Sequence, residues 1–178
     1  LAYVKHVEVE TVRVPGYDDQ IDLVFKLEEQ PSGSIGANIG YGGSGFQFGV
    51  NYNESNFLGT GDSIDLVASR NTDRTSLRLT HRDPHFTVDG VSRGYSLLYQ
   101  KTDYEGTQVT SYRTDQLGAK ANYGYPISEQ ARLDFGFGYD TTEVYAFPES
   151  ADEVKEFIGA DLNSTEIQSE SFDTFSVE

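Results

Sequence analysis

The sequence predicts an all-β chain whose larger part is an antiparallel transmembrane β-barrel, and three observations carry that prediction. Apolar residues recur at every second position through segment after segment, which is the strand period. The connections between segments are tight and aromatic-bearing at one rim ("NFLGTG", "PHFTVDG", "YPISEQ"). At the other rim they lengthen from "GGSG" through "SRNTDR" and "KTDYEGTQVTSYRTD" to the mostly polar stretch 142–171. Despite its apolar stripes, the chain has a mean hydropathy of −0.50 and only 37% hydrophobic residues, low for a soluble domain that must fill a core. A membrane-spanning strand needs about 9 to 11 residues, apolar only on alternate positions, and so scores as polar on average. Outer-membrane barrels combine that pattern with short turns on the periplasmic side, long external loops and aromatic girdles. No run approaches the roughly 18 apolar residues of a spanning helix.

Composition bounds the function. With 29 acidic against 13 basic residues and a net charge of −16, the chain lacks the clustered Lys and Arg that a nucleic-acid groove needs to neutralise phosphate, so no nucleic-acid partner is expected. The absence of Cys removes disulfides, thiolate catalysis and Cys-based metal sites together. The chain has no Met and opens at Leu1, so it is expected to begin inside a longer or processed polypeptide.

Taken in order, residues 1–30 read as a soluble hairpin with one dry face. "VKHVEVETVRV" and "QIDLVFKLEEQ" flank "PGYDD", in which Pro15, Gly16, Asp18 and Asp19 favour reversal. Ile21, Leu23, Phe25 and Leu27 alternate with more polar neighbours. Residues 31–33 form a linker marked by Pro31 and Gly33. From residue 34 onward the polar partners become small. Ile35, Ala37, Ile39 and Tyr41 interleave with Gly36, Asn38, Gly40 and Gly42. After the "GGSG" turn Phe46, Phe48, Val50 and Tyr52 interleave with Gln47, Gly49, Asn51 and Asn53.

The next arms carry Ile64, Leu66 and Ala68, then Leu77 and Leu79, then Tyr95, Leu97 and Tyr99. They are followed by Leu117, Ala119, Ala121, Tyr123 and Tyr125, and by Leu133, Phe135, Phe137 and Tyr139. That makes seven clear strands, with "FDTFSVE" beginning an eighth that stops short of its span. Arg93 shares a stripe with Val91 and Tyr95 and is expected to snorkel to the interface. Arg78, Arg82 and Lys120 fall on the inner side and are expected to pair with Asp65 and Asp134. The stretch 142–171 reads as a solvated acidic external loop, with Val154, Phe157 and Ile158 at helical spacing.

The turn residues Phe57, Gly59, Gly61, Phe86, Asp89, Gly90 and Tyr125 are the candidate periplasmic turns and girdle, where an aromatic ring is cheap at headgroup level. Taken together, "RVPGYDDQIDLVFKLEEQPSGS", "NFLGTG" and "DPHFTVDGVS" resemble the BamA family of outer-membrane assembly factors, in order, from about Val4 to Tyr145. The resemblance implies that residues 1–30 close the last periplasmic POTRA domain and that 34–178 supply the first half of a sixteen-stranded barrel. It also implies a function, the folding and insertion of other barrel proteins into the outer membrane. The implied partners are outer-membrane lipid, unfolded β-barrel clients and assembly lipoproteins, with no cofactor.

On the same resemblance, the first strand, Ser34, Ile35, Gly36, Ala37, Asn38, Ile39, Gly40 and Tyr41, forms one side of a weak lateral seam whose exposed edge templates a client strand. Its glycines would weaken and bend it. The blander reading is that small residues merely let the barrel lumen close around its loops.

Other readings fare less well. His81, Asp83 and His85 could share a face as metal ligands, but Pro84 interrupts the ladder, and polar residues approaching a turn account for them. No nucleophile elbow supports a barrel hydrolase, and "GYGGSG" lacks the Lys and following helix of a phosphate loop, so no enzyme is expected. A small eight-stranded barrel serving as anchor, adhesin or pore would need a complete closing strand. A soluble sandwich would not explain why the aromatic turns share one end.

Overall fold

The computed structural model describes residues 3–17, 20–43, 45–104, 111–128 and 130–178. Asp18, Asp19, Ser44 and part of the 104–111 connection, which the sequence places in turns and loops, lie outside the described residues.

Two sheets form. β1 (Val4–Arg13) and β2 (Ile21–Glu29) make the expected hairpin. Its register sets Val7 opposite Leu27 and Val9 opposite Phe25 on one face. That apolar face is exposed throughout.

The second sheet is an eight-stranded antiparallel meander: β3 (Gly33–Gly42), β4 (Gly45–Phe57), β5 (Asp62–Arg70), β6 (Arg74–Asp83), β7 (Ser92–Asp103), β8 (Tyr112–Pro126), β9 (Arg132–Ala146) and β10 (Gln168–Val177), each paired to the next. Consecutive pairing follows from connections too short for a crossover. The sheet is open, because among the described residues neither β3 nor β10 has a second partner.

One face carries the stripes. Across the register Leu79, Leu97, Ala119, Tyr139 and Phe175 form one row, and His81, Tyr95, Ala121, Phe137 and Val177 the next. Among the described residues the buried hydrophobic core is only Val144, Ala146 and Ile158, while seventeen of the large outward stripe residues of β3, β4 and β6 to β9 named above are exposed. Leaving a Leu or Phe side chain in water forfeits about 1.5–3 kcal/mol each. A sheet of this size cannot bear that loss in water, so the stripe is a surface for lipid. The opposite face is polar and concave, with a cavity of about 780 Å³ lined by Arg78, Arg82, Gly118, Lys120, Asp134 and Asp140 among others. No helix among the described residues is long and apolar enough to cross a membrane; the crossing elements here are strands.

Two sequence expectations need correction. The eighth strand begins earlier than expected, at Gln168, and pairs with β9 in unbroken register over ten residues. As expected it stops short of the full span, its last pairs lying opposite Phe137 and Gly136 while β9 runs on to Arg132. The acidic loop is correspondingly shorter, because β9 continues to Ala146 and β10 begins at Gln168, which leaves residues 147–167. The helix expected there exists as α1 (Asp152–Phe157). It is not simply solvated. Val154 and Ile158 pack on Val144 and Ala146 of the concave face, and Phe157 meets Phe172 with ring centroids 5.1 Å apart.

Lys155, 6% exposed, donates from Nζ to the carbonyls of Pro148 at 2.7 Å and Leu162 at 3.4 Å. Ser150 Oγ accepts from the Phe147 amide at 2.7 Å and donates to the Ser111 carbonyl. The loop is thereby pinned to the start of β8.

Candidate functional site

The free edge of β3 is the first candidate. In an antiparallel pair every second residue turns its N–H and C=O away from its partner. β3 pairs with β4 over all ten residues without a register shift. Its other edge therefore offers a straight row of donors and acceptors. The outward side chains Ile35, Ile39 and Tyr41 are all more than three-quarters exposed, and Tyr41 leans on Phe46 at 4.9 Å. On the inner face Gly36, Gly40 and Gly49 each meet a polar side chain. A Cβ on Gly36 would stand 2.6 Å from Asn51 Oδ1, on Gly49 2.5 Å from Asn38 Oδ1, and on Gly40 2.9 Å from Gln47 Nε2. These glycines make room for amides on the neighbouring strand, and the β3–β4 ladder passes through them intact.

The short-turn rim is the second candidate. After Phe57 the β4–β5 turn is closed by Gly59 N donating to Asn56 O at 3.0 Å and Gly61 N to Asn56 Oδ1 at 2.8 Å. Gly59 and Gly61 take φ of 77° and 82°, a region open to glycine. The β6–β7 turn is tied by Gly90 N to Thr87 O at 3.0 Å. Phe86 is capped by the Arg93 guanidinium, 4.0 Å from its centroid, while Arg93 Nε lies 3.2 Å from Asp83 Oδ2. Asp89 and Tyr125 are exposed beside them.

Sequence reading missed the aliphatic tips of these turns. Leu58 (84% exposed), Val88 and Ile127 each project from one of the three short connections. The signal was legible as an apolar residue inside each turn motif.

Polar clusters partner differently from expectation. His81 Nε2 lies 3.0 Å from Asp62, not from Asp83 or His85. Asp83 instead accepts from the His85 amide at 3.1 Å. Among the described residues no three His, Asp or Glu side chains converge on a metal. Lys120 pairs with Glu178 at 2.6 Å, Asp134 with Arg132 at 3.2 Å, and Asp65 accepts from Asn53, so the expected pairing of Arg78, Arg82 and Lys120 with Asp65 and Asp134 does not form. Register is the reason. Asp65 faces Asn53 and Thr80, not a cation.

An open, lipid-striped meander with a polar concave face is the wall of a membrane β-barrel. The Omp85 superfamily domain matches residues 56–178, more than half of the chain. The chain belongs to that superfamily. It is 30% identical over 161 residues, 89% of its length, to the outer membrane protein assembly factor BamA of Neisseria meningitidis serogroup B, and covers 20% of that relative. To BamA of Buchnera aphidicola it is 27% identical over 129 residues, covering 71% of this chain and 21% of that one.

The crystal structure of BamA from Haemophilus ducreyi lacking POTRA domains 1–3 superposes with a TM-score of 0.79 at 28% identity, over 99% of this chain and 34% of that one. The chain thus spans about a fifth of the length of these curated relatives. An outer-membrane location follows from the membership, and the exposed stripes are the surface it requires.

Proposed function

We propose that the chain forms the periplasmic hairpin and leading barrel strands of a protein that assembles and inserts β-barrel proteins into the bacterial outer membrane. The working surface is the free edge of β3, which templates an incoming client strand at a lateral seam. The observation that carries this reading is the edge of β3, unbulged and without a partner strand among the described residues, beside exposed Ile35, Ile39 and Tyr41. Backbone pairing at such an edge is largely independent of client sequence, which suits a machine with many clients. In lipid every backbone group needs a partner, so an edge left open there is drawn toward one.

In this reading residues 1–30 close a POTRA domain, and the exposed face of Val7, Val9, Leu23, Phe25 and Leu27 packs against the rest of it. The short turns with Phe57, Phe86 and Tyr125 face the periplasm and its assembly lipoproteins.

The test uses the full-length protein. The described chain lacks cysteine, so one Cys at Ile35 and one in the last strand of a client should form a disulfide during insertion. In an antiparallel strand adjacent residues point opposite ways, so of Ala37→Pro and Asn38→Pro one removes a donor from the free edge. At least one should stop insertion with the barrel still folded. Normal insertion by both variants, with no disulfide to the client, would sink the seam.

A further inference from the structure

Two features of the outer wall adjoin and fit one occupant. The first is a groove of about 350 Å³ on the lipid-facing side. Its floor is Ala119 and Ala121 of β8, and its ridges are Tyr95 and Leu97 of β7 and Phe137 and Tyr139 of β9. The register explains the shape, because Leu97 and Tyr139 flank Ala119 while Tyr95 and Phe137 flank Ala121. Small residues between large ones leave a trough running along the strand.

The second feature closes the trough toward the short-turn rim. Tyr123 Oη lies 3.3 Å from Tyr95 Oη, and Arg93 is the register partner of Tyr123. An arginine on a lipid-facing stripe is costly at mid-bilayer and nearly free at the interface, which places this row at headgroup depth. Asp83 forms an ion pair with the guanidinium and Phe86 lies beneath it, while the Arg93 side chain stays about a third exposed. A cation already fixed in orientation loses little freedom on meeting an anion. One of the two phenol hydroxyls donates to the other, and the hydrogen left over adds one donor beside it. The spacing fits within one leaflet: Ala119 to Tyr123 runs about 13 Å along the strand, or about 10 Å of depth at the usual barrel tilt of about 40°, against about 15 Å for one leaflet of the hydrocarbon core.

We propose that this wall holds one phospholipid of the periplasmic leaflet, its phosphate against Arg93 and one acyl chain in the groove over Ala119 and Ala121. The assignment rests on the reading of the short-turn rim as periplasmic. A bound lipid here would anchor β7, β8 and β9 at a fixed depth, four strands from the edge where clients are proposed to enter.

The test is native mass spectrometry of the full-length protein, purified from outer membranes in mild detergent, with dioleoyl phosphatidylethanolamine added back. Dioleoylglycerol, which lacks the phosphate, is the comparison. The wild type should keep one phosphatidylethanolamine and no dioleoylglycerol. Arg93→Gln should weaken retention on the order of tenfold, the worth of one charge-assisted hydrogen bond. Ala121→Leu fills the groove with a residue that a lipid face tolerates, and should weaken retention similarly while the barrel still migrates as folded in unheated gels. Arg78→Gln, on the concave face, should retain lipid as the wild type does. Equal retention by wild type, Arg93→Gln and Ala121→Leu would overturn the site, as would equal capture of dioleoylglycerol. A wild-type protein that does not fractionate with outer membranes would sink the outer-membrane reading beneath it, a separate failure.

Discussion

The carboxamide of Asn51 lies across Gly36, its register partner, with Oδ1 2.6 Å from where a Cβ on that glycine would sit. The same relation joins Asn38 to Gly49 and Gln47 to Gly40, and Asp140 reaches over Gly118 in the same way. At these four positions glycine on the inner face is the complement of a polar side chain on the next strand.

That relation predicts a coupling. Ala at position 36 would gain about 0.5–1 kcal/mol by restricting the unfolded chain, and would lose much of it by displacing Asn51. Gly36→Ala alone should therefore be near neutral, whereas in an Asn51→Ala background it should stabilise, a coupling of at least about 0.5 kcal/mol in a double-mutant cycle. Denaturant unfolding of the full-length protein in phospholipid vesicles reads it. Strict additivity would mean that Asn51 does not contest the site.

The 147–167 loop should depend on its buried amine. Lys155 is the one basic residue between 142 and 178, and its Nζ serves two loop carbonyls. Lys155→Ala leaves those carbonyls unsatisfied, at a local cost of about 1–3 kcal/mol. Limited proteolysis of the full-length protein in mild detergent should then cut within residues 147–167 at least tenfold faster, the rate equivalent of about 1.4 kcal/mol. The β9–β10 ladder should stay protected. Unchanged cleavage would show that the helix packing suffices.

The tip of the β4–β5 turn stores strain. Leu58 has φ of 55°, a region that favours Asn over a branched apolar residue. Leu58→Asn should raise the unfolding midpoint, by about 0.5–1 kcal/mol of relieved strain. A lowered midpoint would mean that the exposed Leu58 side chain is covered in the whole protein and contributes more there than the strain costs.

The strands were legible wherever the apolar stripe runs. Ile35 to Tyr41, Leu117 to Tyr125 and Leu133 to Tyr139 alternate because one face meets lipid and the other a polar interior. The reading lost the chain at Thr142, where β9 continues with Glu143 and Tyr145 outward, and β10 begins with Ser169, Ser171 and Asp173 on the same face. Above the lipid band the ladder still supplies the backbone hydrogen bonds, but nothing requires apolar side chains. Period-two reading therefore mistook strand for loop. Polar pairings were legible only in part, since which carboxylate meets His81, Arg93 or Lys120 depends on cross-strand register.

The order of side chains along the chain determined by itself that this is antiparallel sheet with one lipid-facing side, which turns are tight, and which residues form the first strand. Those are local properties, set by side-chain period and turn chemistry. Only the tertiary structure decided that the acidic loop folds back over the concave face, that glycines sit beneath amides, and that two alanines between aromatic ridges open a groove beside Arg93. Each of those depends on residues far apart in sequence, brought together by the register of a sheet whose hydrogen bonds are blind to side-chain identity.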